Sequence, residues 1–136
     1  MAALSARGLC GYAGKINMDR NSAPALTETV SGSLSETEQW VRHTKGRYPG
    51  VEPILTPRFI PTCSPELLSG LARLSDQYAV PIQSHVSENL SEIGWVASLE
   101  PAASSYSGAY DQYGLFGSRQ PVIMAHMVHH PPISGG

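Results

Sequence analysis

Residues 64–85 read SPELLSGLARLSDQYAVPIQSH, and this stretch decides the fold class. Ser64 followed by Pro65 has the form of an N-cap with proline at the first helical position. Leu67, Leu68, Leu71, Leu74 and Tyr78 then recur at helical spacing, which predicts one amphipathic helix. The run Val80–Ser84 follows at once. It is short and apolar enough to be a strand buried on both faces, and it ends in His85. A helix feeding directly into such a strand is the repeating step of a parallel α/β sheet.

The same alternation recurs on both sides of this stretch. Ala13–Met18, Val51–Thr56 and Pro121–Ala125 are further short apolar runs that predict strands. Leu34, Trp40 and Val41 mark an earlier helix, with Ser33 and Glu36 at capping-box spacing. A third helix is predicted from about Ser91 to Leu99, with Ile93, Val96 and Leu99 inward and Pro101 as its stop. Ala102–Ser118 is rich in Ser, Tyr and Gly and reads as a loop with a turn or two of helix; Tyr106, Tyr110 and Tyr113 are read as loop packing. Residues 130–136 lack periodicity and read as an unstructured tail, leaving residues 1–129 as the folded part. About four parallel strand–helix units are an incomplete TIM-type (β/α)₈ barrel, because 136 residues fall well short of the roughly 250 a full barrel needs.

Composition excludes several classes. At 41% hydrophobic and 15% charged the chain is globular, and a net charge of −2 offers nothing to a nucleic acid. No apolar run approaches the ~20 residues that span a membrane, and the first residues lack a signal-peptide core. Cys10 and Cys63 form no C-x-x-C pair and fit a reduced, cytoplasmic setting.

Three of the strands end in reactive residues. Thr56 leads to Pro57-Arg58-Phe59, Ser84 to His85-Val86-Ser87-Glu88, and Ala125 to His126. A barrel gathers the carboxyl ends of its strands at one rim, where active sites form, so Arg58, His85, Glu88 and His126 should converge. Taken singly, each has a plainer reading: a hydrogen-bonded His, a first-turn helix carboxylate, a structural ion-pair Arg. His129 and His130 beside the tail, and His43 at a polar helix end, carry no such expectation.

The runs Lys15-Ile16-Asn17-Met18-Asp19-Arg20-Asn21 and Thr27-Glu28-Thr29, then Leu55-Thr56-Pro57-Arg58-Phe59, Gln83-Ser84-His85-Val86-Ser87-Glu88-Asn89 and Met124-Ala125-His126, resemble guanine deaminases in kind and order over about residues 12–129. These are zinc-dependent amidohydrolases. The resemblance implies a metal-dependent hydrolase barrel binding one zinc ion and hydrolysing guanine to xanthine and ammonia, and it allows a homodimer at full length. It implies that His85 is a zinc ligand that also borders the substrate, and that Glu88 is the proton shuttle and contacts the purine. His126 would orient the attacking hydroxide, while Arg58 and Phe59 hold the purine. The other zinc base-deaminase design needs H-x-E and C-x-x-C elements, which are absent. The family's first-strand His-x-His pair and eighth-strand aspartate have no counterpart, so the chain alone is expected to be inactive. Two rivals stay open: a related amidohydrolase acting on another azaheterocycle, and a non-catalytic barrel fragment that works by association.

Overall fold

In the computed structural model, residues 1–116 and 119–129 are described; residues 130–136, read above as a tail, lie outside them. Helix α1 (Ala2–Ser5) precedes strands β1 (Gly11–Ala13) and β2 (Ile16–Asn17), then helix α2 (Val30–Thr44). Strands β3 (Val51–Pro53) and β4 (Thr56–Pro57) lead into helix α3 (Pro65–Tyr78) and strand β5 (Ile82–Val86). Helices α4 (Leu90–Leu99) and α5 (Tyr106–Gln112) come before strand β6 (Val122–His126).

Two of the expected strands are broken in the middle. Ala13–Met18 is divided between β1 and β2, and Val51–Thr56 between β3 and β4. The strands pair in parallel among the described residues: β1 with β3, β2 with β4, and β5 with β6. A parallel bridge from Leu55 to Ile82, with Gln83 N–H donating to Leu55 O at 2.8 Å, joins the earlier pairs to the later one. Neighbouring strands thus follow chain order. The arrangement is α/β with parallel strands, and no closed barrel forms among the described residues. Gly14 marks one of the breaks: a Cβ there would lie 2.3 Å from both Ile54 O and Thr56 Oγ1, so only glycine lets the strands approach this closely.

Helix α3 covers the sheet as its stripe predicts. The Ser64 hydroxyl accepts from Leu67 N–H at 3.2 Å, and Leu67, Leu68 and Leu71 are wholly buried with Leu55, Ile60, Val80 and Ile82. Burying each leucine stabilises the fold by about 1.5–3 kcal/mol. Helix α2 packs on α3 where Gly70 admits Leu34, and the Tyr78 hydroxyl donates to Glu38.

Two expectations are corrected. Thr29, not Ser33, caps α2: the Thr29 hydroxyl accepts from Gly32 N–H at 3.1 Å, one turn before the expected cap. Ser33 is buried inside the helix, where Asn17 Nδ2 donates to it at 2.8 Å and to Thr37 Oγ1 at 2.7 Å. Tyr106 and Tyr110 of the Ser/Tyr/Gly segment are not loop packing either. Tyr106 and Tyr110 stand four apart on α5, one turn of helix, and both are buried. No helix among the described residues is long and apolar enough to cross a membrane.

Candidate active site

Arg58 and Phe59 leave the end of β4, His85 lies near the end of β5, Glu88 follows in the loop before α4, and His126 ends β6. Together these five line one open cavity of about 280 Å³ at the carboxyl ends of the strands. A second cavity of about 590 Å³ shares Arg58 and His85 and continues past Ile16, Met18, Leu26 and Glu28. All the residues expected to converge are therefore brought together.

Their geometry is specific. His85 Nδ1 lies 2.7 Å from the carbonyl oxygen of Arg58. A carbonyl only accepts, so Nδ1 is protonated, and in the neutral ring Nε2 keeps its lone pair. The His85 ring stacks on His126, with centroids 5.3 Å apart. His126 Nε2 faces the Glu88 carboxylate at 3.5 Å. The Arg58 guanidinium lies 5.4 Å from the Phe59 ring centroid and reaches Met18 Sδ at 3.5 Å. It is exposed and makes no ion pair among the described residues, which sets aside its plainer reading. Phe59 in turn meets Trp95 of α4 edge-on, centroids 6.2 Å apart.

The backbone around these side chains is held in an uncommon conformation. Ser87, His126 and Met127 have φ of 51°, 74° and 50°, the left-handed region that non-glycine residues rarely occupy. Three such residues at two adjacent strand ends place the local strain where the reactive groups sit.

Behind the cavity stand residues that motif reading passes over. Tyr110 donates to the His85 carbonyl at 2.7 Å and lies 2.8 Å from the Ser84 hydroxyl. Burial pushes its phenol above the ordinary value, so it remains a protonated donor. Asp19, Arg20 and Asn21 brace the turn after β4: Asp19 Oδ1 accepts from Ser64 N–H at 2.7 Å, while Arg20 and Asn21 donate to Ile60 O and Pro61 O. Cys63 is buried with its thiol donating to Asn17 O, and desolvation raises it to about 11, which rules it out as a nucleophile. Desolvation favours the neutral form of Glu28, but hydrogen bonds from Lys15 and Ser33 outweigh it and hold this carboxyl below its ordinary value. The signal for Tyr110 lay only in its one-turn spacing from Tyr106.

A metal fits this donor set incompletely. Among the described residues no three His, Cys, Asp or Glu side chains are placed to share an ion. His85 offers one imidazole nitrogen, and a tetrahedral catalytic site needs three protein ligands.

No family model matches the chain. It is 44% identical over 128 residues to guanine deaminase of Dictyostelium discoideum, covering 93% of this chain and 28% of that protein. The crystal structure of guanine deaminase from C. acetobutylicum, with bound guanine in the active site, superposes with a TM-score of 0.91 at 45% identity, over 96% of this chain and 31% of that one. The chain matches part of a guanine deaminase. It spans about a quarter to a third of the length of the guanine deaminases it resembles. The zinc-complexed atrazine chlorohydrolase of Arthrobacter aurescens, at 21% identity and a TM-score of 0.82, shares the fold.

Proposed function

We propose that this chain supplies the central strand units of a guanine deaminase barrel, contributing its purine-binding wall and proton-transfer group. The reaction is guanine plus water giving xanthine plus ammonia. The observation that carries the reading is the convergence of Arg58, Phe59, His85, Glu88 and His126 on one cavity, in a chain 45% identical to an enzyme solved with guanine bound.

Each residue has a task suited to its chemistry. Arg58 presents planar donors to the purine carbonyl, and Phe59 packs on the flat ring. His126, beside Glu88, positions the attacking water. Glu88 takes a proton from that water and delivers it to the ring, then carries the remaining hydroxyl proton to the amine, because ammonia leaves readily only once protonated. His85, with Nε2 free, is the nitrogen donor suited to zinc and borders the substrate. Zinc in the complete enzyme would make hydroxide available at neutral pH. The surrounding strands of the barrel must bring its remaining ligands. We place the enzyme in the cytoplasm, consistent with two free cysteines.

The test is a graft. Residues 12–129 replace the matching segment of Dictyostelium discoideum guanine deaminase, and the purified chimera is assayed for zinc content and for xanthine formation. Zinc-loaded chimera that makes xanthine supports the reading. Folded, zinc-loaded chimera that leaves guanine intact but hydrolyses a triazine would move the substrate to another azaheterocycle.

A further inference from the structure

We infer that Tyr110 and Ser84 form a buried latch that sets the tautomer and position of His85, and that Tyr110 is a positioning residue for the site. The inference deepens the function proposed above and rests on it for its catalytic meaning.

Four contacts define the latch. The Ser84 hydroxyl lies 2.7 Å from Pro57 O and 3.2 Å from Arg58 O, tying β5 to the end of β4. Tyr110, reaching in from α5, donates to His85 O at 2.7 Å and touches the Ser84 hydroxyl at 2.8 Å. The Arg58 carbonyl thus receives two approaches, from the Ser84 hydroxyl and from His85 Nδ1. Everything that fixes that carbonyl also fixes which His85 nitrogen keeps its lone pair. Tyr110 is wholly buried and Ser84 only 3% exposed, so water cannot replace either hydroxyl cheaply. The Tyr110 ring is itself held, stacked on Tyr106 at 5.9 Å and edge-on to Phe116 at 5.9 Å.

The consequence is directional. Without the phenol, Ser84 keeps Pro57 O but loses one of its buried partners, and the His85 carbonyl loses its donor. The strand end can then shift from the Arg58 carbonyl, and the Nδ1–H form of His85 is no longer favoured. Phenylalanine keeps the ring contacts and removes only the hydroxyl, so packing and latch are separable in one substitution.

The experiment reads the His85 tautomer in this chain by long-range ¹H–¹⁵N correlation of its imidazole, at a pH where the ring is neutral. The wild-type chain should show predominantly Nδ1–H. In Tyr110→Phe the ratio of Nε2–H to Nδ1–H should rise roughly fivefold, the effect of weakening one ordinary hydrogen bond. Ser84→Ala should move it the same way, and it keeps the readout available if Tyr110→Phe does not fold. An unchanged ratio in a folded variant, with only a lower melting temperature, would reduce Tyr110 to a core residue and overturn the latch. A wild-type chain showing mainly Nε2–H would overturn it too. Neither result depends on guanine: failure of the graft to make xanthine would remove the proposed function and leave the tautomer result standing.

Discussion

His85 and His126 stack with ring centroids 5.3 Å apart and planes inclined by 26°, although the strand register pairs His85 with Ala125 and sets His126 opposite Val86. Val86 is buried in the core, and a regular strand residue opposite it would point the same way. His126 escapes that alternation because its φ is 74°, which turns its ring toward the cavity. The pair exists because β6 ends its regular geometry one residue early.

The same turn makes a stability prediction. Met127 has φ of 50° and is exposed, and it lies outside the residues assigned to chemistry. Met127→Gly should stabilise the chain by up to about 1 kcal/mol by relieving left-handed strain. Urea unfolding midpoints check it; a loss of stability would mean that the Met127 side chain holds the strand end.

In a chain extended to the length of its curated relatives, Glu88→Gln should lower kcat by about 10²–10⁴ with KM little changed, because the carboxylate moves a proton and the amide cannot. Near-normal kcat would remove Glu88 as the shuttle.

Arg58→Ala in the same protein should act on binding. A charged hydrogen bond to the purine contributes about 1.5–3 kcal/mol, so kcat/KM should fall by roughly 10- to 150-fold, mostly through KM. Arg58 makes no ion pair among the described residues, so the melting temperature should stay within a few degrees of wild type.

Gly14→Ala tests the close strand approach. The added methyl would meet a backbone carbonyl at 2.3 Å, which cannot rotate away. Destabilisation of about 1–3 kcal/mol is expected, read from the same urea transitions.

Cys63 gives a pH prediction. Burial raises its folded value to about 11 from an ordinary 9.0, so its contribution to stability is whole below 9.0 and is lost as pH rises through 11. Comparing Cys63→Ala with wild type across this range isolates the slope that belongs to the thiol. At neutral pH a thiol reagent should label exposed Cys10 quickly and Cys63 only as the fold opens.

The local elements and the order of the reactive residues could be read directly from neighbouring positions in the chain. Helix α3, its Ser64 cap and the apolar runs of β5 and β6 follow from periodicity and capping, which act within a few residues and are written in adjacent letters. The remaining features depend on contacts between distant segments. Tertiary structure chose Thr29 over Ser33 as the cap of α2, because burying Ser33 against Asn17 satisfies an amide from another element. It broke two predicted strands where Gly14 lets the chains close up. It set the proton of His85 through a carbonyl at Arg58 and placed Tyr110 behind both. Those outcomes depend on which distant groups share a buried space, where each hydrogen bond must find a partner or cost free energy, and adjacent letters do not record that.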